Sequence, residues 1–167
     1  MKRSICWLIG FALLGLAVSV SEATAQGPSV SIETEYLGTV EVQLDAAQAV
    51  GPVRIINDTG GTLKGPKVNG TLVAPSGDWL NVMPDGSLRI DARNSFITDD
   101  GDLIFAAVSG IIVPNKDAMD RLNKGEVITS NDEYFLFTFR FTTASKKYDW
   151  LNKVQAVGKM VALRRAN

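Results

Sequence analysis

The chain is predicted to be all-β: a single antiparallel up-and-down β-barrel of about eight strands, with one short helix near residues 116–124. Three observations predict it. Apolar residues recur with a period of two along most of the sequence, which puts alternate side chains on opposite faces of a strand. Asp85-Gly86 and Asp100-Gly101 stand between apolar runs, and an Asp-Gly pair supplies the positive φ of a tight hairpin turn. Only Lys116 to Lys124 has helical spacing, with Met119 and Leu122 three apart and Gly125 placed to end the helix.

The elements follow in order. Lys2 and Arg3 precede an apolar stretch from Ile5 to Val20 and then Ala23-Thr24-Ala25, the pattern of an export signal cleaved after Ala25. A membrane anchor is the competing reading, but the run is short for a span and no basic stop-transfer cluster follows. Residues 1–25 are therefore expected to be a signal peptide and residues 26–167 one β-barrel domain, periplasmic or secreted, with no stable membrane insertion once the leader is gone.

Val30, Ile32 and Thr34 alternate with polar neighbours, as do Val40, Val42 and Leu44. Val53, Ile55 and Ile56 form a short run before Asn57-Asp58-Thr59-Gly60-Gly61, which reads as a turn cluster. Gly60 to Gly65 is rich in glycine but lacks the Lys-Ser/Thr and helix of a phosphate loop, so a bulge or sharp bend accounts for it. Runs flank Pro66, and Trp79 to Met83 makes a short strand ending at Pro84-Asp85-Gly86. Leu88, Ile90 and Ala92 alternate with Arg89, Asp91 and Arg93. Leu103 to Val113 is a long apolar run, Tyr134 to Thr143 an aromatic one, and Trp150 to Leu163 holds the last alternations.

Composition narrows the chemistry. The chain has no histidine, and its one cysteine, Cys6, lies in the leader. A Ser-His-Asp triad, a Cys-His pair and a typical zinc site each need residues that are missing. A net charge of −1 gives no electrostatic reason to bind nucleic acid. No cofactor is implied. Asp99-Asp100-Gly101-Asp102 gathers carboxylates, yet it lacks the spaced ligands of a calcium loop, and a solvated hairpin tip explains it without a metal.

Three residues are candidates for catalysis. Asp91 and Arg93, two apart on a strand, share a face: inside a barrel they form an ionic couple able to orient a ligand, and outside they form a surface salt bridge. Leu88, Ile90 and Ala92 claim the other face for burial. Asp78 follows Ser76-Gly77 and is either a desolvated acid-base group or the cap of a turn. Trp79 is core or pocket wall. Phe135, Phe137, Phe139 and Phe141 share one parity, so four rings crowd one face as core, as a subunit contact in a homo-oligomer, or as the wall of an aromatic ligand site; Phe105 adds apolar surface, and Tyr148 and Trp150 are placed to close a rim.

The ordered set Thr59-Gly60-Gly61-Thr62, Lys64-Gly65-Pro66, Gly70, Gly77-Asp78-Trp79, Pro84-Asp85-Gly86, Asp91-Ala92-Arg93, Thr98-Asp99-Asp100-Gly101, Gly110, Leu122, Gly125-Glu126, Tyr134-Phe135, Phe141 and Tyr148-Asp149-Trp150-Leu151-Asn152 resembles the bacterial and fungal domain-of-unknown-function family numbered 3237. The similarity runs from about Tyr36 to Gly158. It implies a small antiparallel β-barrel with an interior open to a ligand, and it implies no agreed activity. Many relatives carry tyrosine at the position of Phe105, arginine near Ala107, and arginine and proline where Leu136 and Phe139 stand, so this chain is the more apolar at those positions.

Two functions follow as expectations. One is an exported barrel that binds a small apolar or aromatic molecule in its interior. The other is an isomerase, cyclase or lyase without a cofactor, using Asp78 or Asp91 as acid or base and Arg93 as electrostatic support. They differ in what the interior holds: a binder needs an apolar lumen, whereas an enzyme needs converging polar groups and a carboxylate short of partners.

Overall fold

The computed structural model describes residues 31–164, so the leader expected over residues 1–25 lies outside the described residues. The elements are β1 (Thr39–Leu44), β2 (Gln48–Val50), β3 (Val53–Lys64), β4 (Asn69–Val82), β5 (Leu88–Thr98), β6 (Leu103–Val113), α1 (Lys116–Asn123), β7 (Ile128–Thr129), β8 (Tyr134–Thr143), a 3₁₀ helix (Asp149–Lys153), β9 (Gln155–Lys159) and β10 (Ala162–Leu163). The alternation at Ile32 and Thr34 yields no strand. Eight strands form one antiparallel sheet in the order β1-β3-β4-β5-β6-β8-β9, with β2 beside β3, curled into a half-barrel. Among the described residues its end strands, β1 and β9, do not pair with each other. β7 and β10 form a separate two-stranded ladder. The chain from Glu35 onward is one compact unit.

Both Asp-Gly turns form as the sequence predicts. Gly86 and Gly101 have φ of +84° and +87°. Gly86 N–H donates to the Met83 carbonyl at 2.9 Å and Gly101 N–H to that of Thr98 at 2.8 Å, reversing the chain into β5 and β6. The helix also stands where it was expected, with Asn115 Oδ1 accepting from Asp117 N–H at 3.0 Å and Gly125 in the left-handed region at φ +87°.

Two readings are corrected. Asn57 to Gly61 is not a reversal but the interior of β3, whose register slips between Asn57 and Thr62. The glycines there serve close approach: a Cβ on Gly61 would collide with the Glu41 carbonyl of β1. The short strand read at Trp79 to Met83 is the end of the long strand β4 (Asn69–Val82), which is bulged between Val73 and Gly77. Ser76 Oγ fills the gap in the ladder, accepting from Ser95 N–H at 2.9 Å and donating to the Val73 carbonyl at 2.7 Å.

Burial alternates along β5, with Ala92, Asn94, Phe96 and Thr98 buried and Asp91, Arg93 and Ile97 exposed. Register carries this division across the sheet. Ala92, Asn94 and Phe96 face Val108, Ala106 and Ile104 on β6, and these face Phe139, Phe141 and Thr143 on β8. One end of the concave face is densely packed by Leu63, Leu72, Phe96, Ile104 and Ala106, with Tyr148 and Leu151 of the 3₁₀ segment set into it. Toward the other end the inward residues Ile56, Leu80, Ile90, Gly110, Phe137 and Gly158 are half-buried, while Ile112 of β6 is buried. The concave face is therefore densely packed at one end, its floor, and less completely covered at the other, its upper lumen.

Candidate functional site

The polar residues of the concave face gather where floor meets lumen. Ile56 pairs with Asp78, and Asp78 with Ala92, so Asp58, Asp78 and Asn94 share the inward parity of β3, β4 and β5. The β4 bulge lets β3 reach β5 directly: Asn94 Nδ2 donates to Asp58 Oδ2 at 2.6 Å, over the strand that lies between them. Asp58 and Asn94 are both buried, and Asp58 Oδ1 has no partner among the described residues. Asp78 is half-buried, and no hydrogen bond reaches its carboxyl among the described residues.

Burial sets the electrostatics. Loss of water pushes the Asp58 pKa up to about 6, with the Asn94 hydrogen bond pulling the other way. Burial, reinforced by repulsion from Asp58, pushes Asp78 up to about 7. Both carboxyls therefore hold their protons well above the ordinary carboxylate range, and the charge on Asp58 raises Asp78 further. Burial also raises Glu133, which lies just before β8 and leaves Oε2 unpartnered among the described residues.

The wall on β8 is aromatic, as the parity of its sequence predicts. Phe135, Phe137, Phe139 and Phe141 run along the inner face with neighbouring ring centroids 5.4, 5.3 and 6.0 Å apart, the first two contacts edge-on and the last stacked. Phe137 packs over two glycines: a Cβ on Gly110 would lie 2.8 Å from Phe137 Cβ, and one on Gly158 would overlap its ring.

The other candidates from the sequence lie elsewhere. Asp91 and Arg93 form an ion pair on the outer face, both side chains about half exposed, and they do not meet Asp78. Trp79, paired with Asp91, is 42% exposed on that face, and Phe105, opposite Ser95, is 37% exposed. Tyr148 is buried beneath the lumen and donates its hydroxyl to Asp100, whose carboxylate also takes Lys147 Nζ at 2.5 Å. Trp150 packs against the core with Lys67 Nζ 5.9 Å from its ring centroid. Open clefts of about 610 and 700 Å³ lie at the β8–β9 edge and beside Glu133, away from the carboxyl pair. Sequence reasoning missed Asp58 and Asn94. The usable signal was Asn94 on the parity of Ala92 and Phe96, a polar residue among positions that demand burial.

Comparison with known proteins gives the same architecture. A protein from Rhodopseudomonas palustris named as UPF0311 is 27% identical over 133 residues, covering 77% of this chain and 87% of its own length. The crystal structure of a conserved protein of unknown function from that organism superposes with a TM-score of 0.72 at 26% identity, covering 78% of this chain and 90% of that one. A β-barrel-like protein from Acinetobacter baumannii gives a TM-score of 0.54 at 30% identity, covering 77% and 90%. The family model described as "Protein of unknown function (DUF3237)" matches residues 32–166, and this chain, with its curled antiparallel sheet, belongs to that family.

Proposed function

We propose that the upper lumen is a binding site for a small, uncharged, apolar or aromatic molecule, in a protein that its leader directs to the periplasm or outside the cell. The observation that carries this reading is the row of half-buried phenylalanines facing the Asp58–Asp78–Asn94 group across an inner wall of small and aliphatic residues. Rings supply flat apolar contact, while a few polar groups fix orientation, the usual division of labour in a small-molecule pocket. The charge pattern supports a neutral guest. On the inner face of β3 to β9 the one cation is Arg54, and its Nη1 donates to the carbonyls of Gly51 at 2.9 Å and Val53 at 3.1 Å.

Gentle native mass spectrometry of the protein taken from its own compartment tests this. The expected result is an excess mass of one small organic molecule, released on unfolding and absent from Phe137→Ala. A bare polypeptide mass under conditions that preserve other complexes counts against the reading.

A further inference from the structure

Resting on that reading of the lumen, we infer that Asp78 transfers a proton on the bound molecule, a ring-bearing compound with an acidic C–H beside a carbonyl, while Asp58 and Asn94 act as a positioning pair behind it. The geometry separates the two carboxyls by role. Asp58 is buried and tied to Asn94, whereas Asp78, level with Ile56 and so one inward step from Asp58 toward the upper end, is half-buried with no hydrogen bond among the described residues to hold its carboxyl. A general base must reach its proton, so the free carboxyl is the one that serves. Asp58 Oδ1, buried and unpartnered, marks this as a polar site that packing alone does not satisfy.

The chemistry balances without a cofactor. The Asp78 carboxylate removes the proton; the C–H electron pair becomes a C=C bond and the carbonyl π pair moves onto oxygen. The resulting carboxylic acid returns a proton to the same carbon, or to a conjugated carbon further along, and the carboxylate is regenerated. Return to the same carbon, after the acid has traded its proton with solvent, is exchange, and return to the conjugated carbon is isomerisation; neither changes the oxidation level. The apolar wall favours this class, because a flat ring seats against Phe137 and Phe139 and places its polar edge toward β4. A carboxyl that titrates near neutrality is matched to carbon acids of modest strength.

2-Tetralone, an aromatic ketone whose C–H groups flank a carbonyl, is a suitable probe. In D₂O, ¹H NMR follows loss of those protons while saturation transfer reports binding. The wild type is expected to bind it and to speed exchange over buffer. Asp78→Asn is expected to keep saturation transfer and lose about 10²-fold in exchange rate. Asp91→Asn, on the outer face, is expected to match the wild type. The pH profile distinguishes positioning from mere structure. The charged groups on the inner face near Asp78 are Asp58 and Arg54 of β3, while β5 presents the uncharged Ala92 and Asn94. Removing the Asp58 charge in Asp58→Asn therefore moves the rising limb of exchange to lower pH. Binding with equal exchange in wild type and Asp78→Asn overturns the proton transfer and leaves the lumen reading intact. Failure of the wild type to bind overturns both.

Discussion

Asp58 shows how local sequence can hide a buried carboxyl inside an apparent turn. Asn, Asp, Thr and two glycines in succession are turn formers, and nothing local distinguishes a reversal from a bulged strand. The distinction is made by β1, whose ladder with β3 runs through this stretch and pairs at Asp58, Gly60 and Gly61. Asp78, after Ser76-Gly77, was open to two readings, a desolvated acid-base group or a turn cap, because nothing local shows that β4 runs on through the bulge to make it a mid-strand residue. The outer position of Asp91 and Arg93, by contrast, followed from the claim of Leu88, Ile90 and Ala92 on the opposite face. A pH prediction belongs at this scale. Asp58 and Asp78 have folded-state pKa values of about 6 and about 7, above the ordinary 3.8, so the native state holds protons the unfolded chain releases. Their contribution is complete below the unfolded value near pH 4 and is lost as pH rises through the folded values. Asp58→Asn, which cannot ionise, is expected to gain on the order of 2–3 kcal/mol over the wild type at pH 8 and nothing at pH 4. Urea melts at the two pH values measure this, and an equal effect at both removes ionisation as the cause.

At the scale of elements, the strands with clean alternation and Asp-Gly turns were the legible ones. β5 and β6 are examples, because period and turn chemistry point the same way. The 3₁₀ helix was not legible: Tyr148-Asp149-Trp150-Leu151 has too few residues to show a period, and its place is set by where the floor has room for Leu151 and Tyr148. Leu151 is 1% exposed within the main core, so Leu151→Ala leaves a hole under the lumen and is expected to cost about 2–5 kcal/mol in chemical denaturation. β8 and β9 meet through a different fit. The Phe137 ring occupies the space a side chain on Gly158 would need, so Gly158→Val is expected to displace that ring. The methyl and ring resonances of the upper lumen would shift while those around Phe96 and Ile104 stay put; unchanged lumen resonances would show that β9 yields instead.

For the whole molecule, the sheet is a sequence of neighbours with two unjoined margins. β4, β5 and β6 are flanked on both sides by long ladders, whereas β1 and β9 have a partner on one side only and the short β2 pairs at three positions. Backbone amides at the centre are therefore expected to exchange with solvent more slowly than those of β1, β2 and β9, by about the difference between global and local opening. Uniform protection across the sheet would mean that the two margins are closed in solution. The sequence leads to a barrel and the sheet is a half-barrel, because alternation specifies which way a side chain faces and not whether the first strand meets the last.

The partnership of Val113 with Tyr134 has a further implication. β6 and β8 are already in register at the point where the chain departs for α1 and β7, so residues 114–133 leave and rejoin a completed hairpin and add only the short β7–β10 ladder to its pairing. Such a junction can accept longer or shorter inserts without re-indexing a single rung of the β6–β8 ladder. Descendants of one scaffold could thus refit the rim of the tube for new guests while the carboxyl-bearing strands opposite stay as they are.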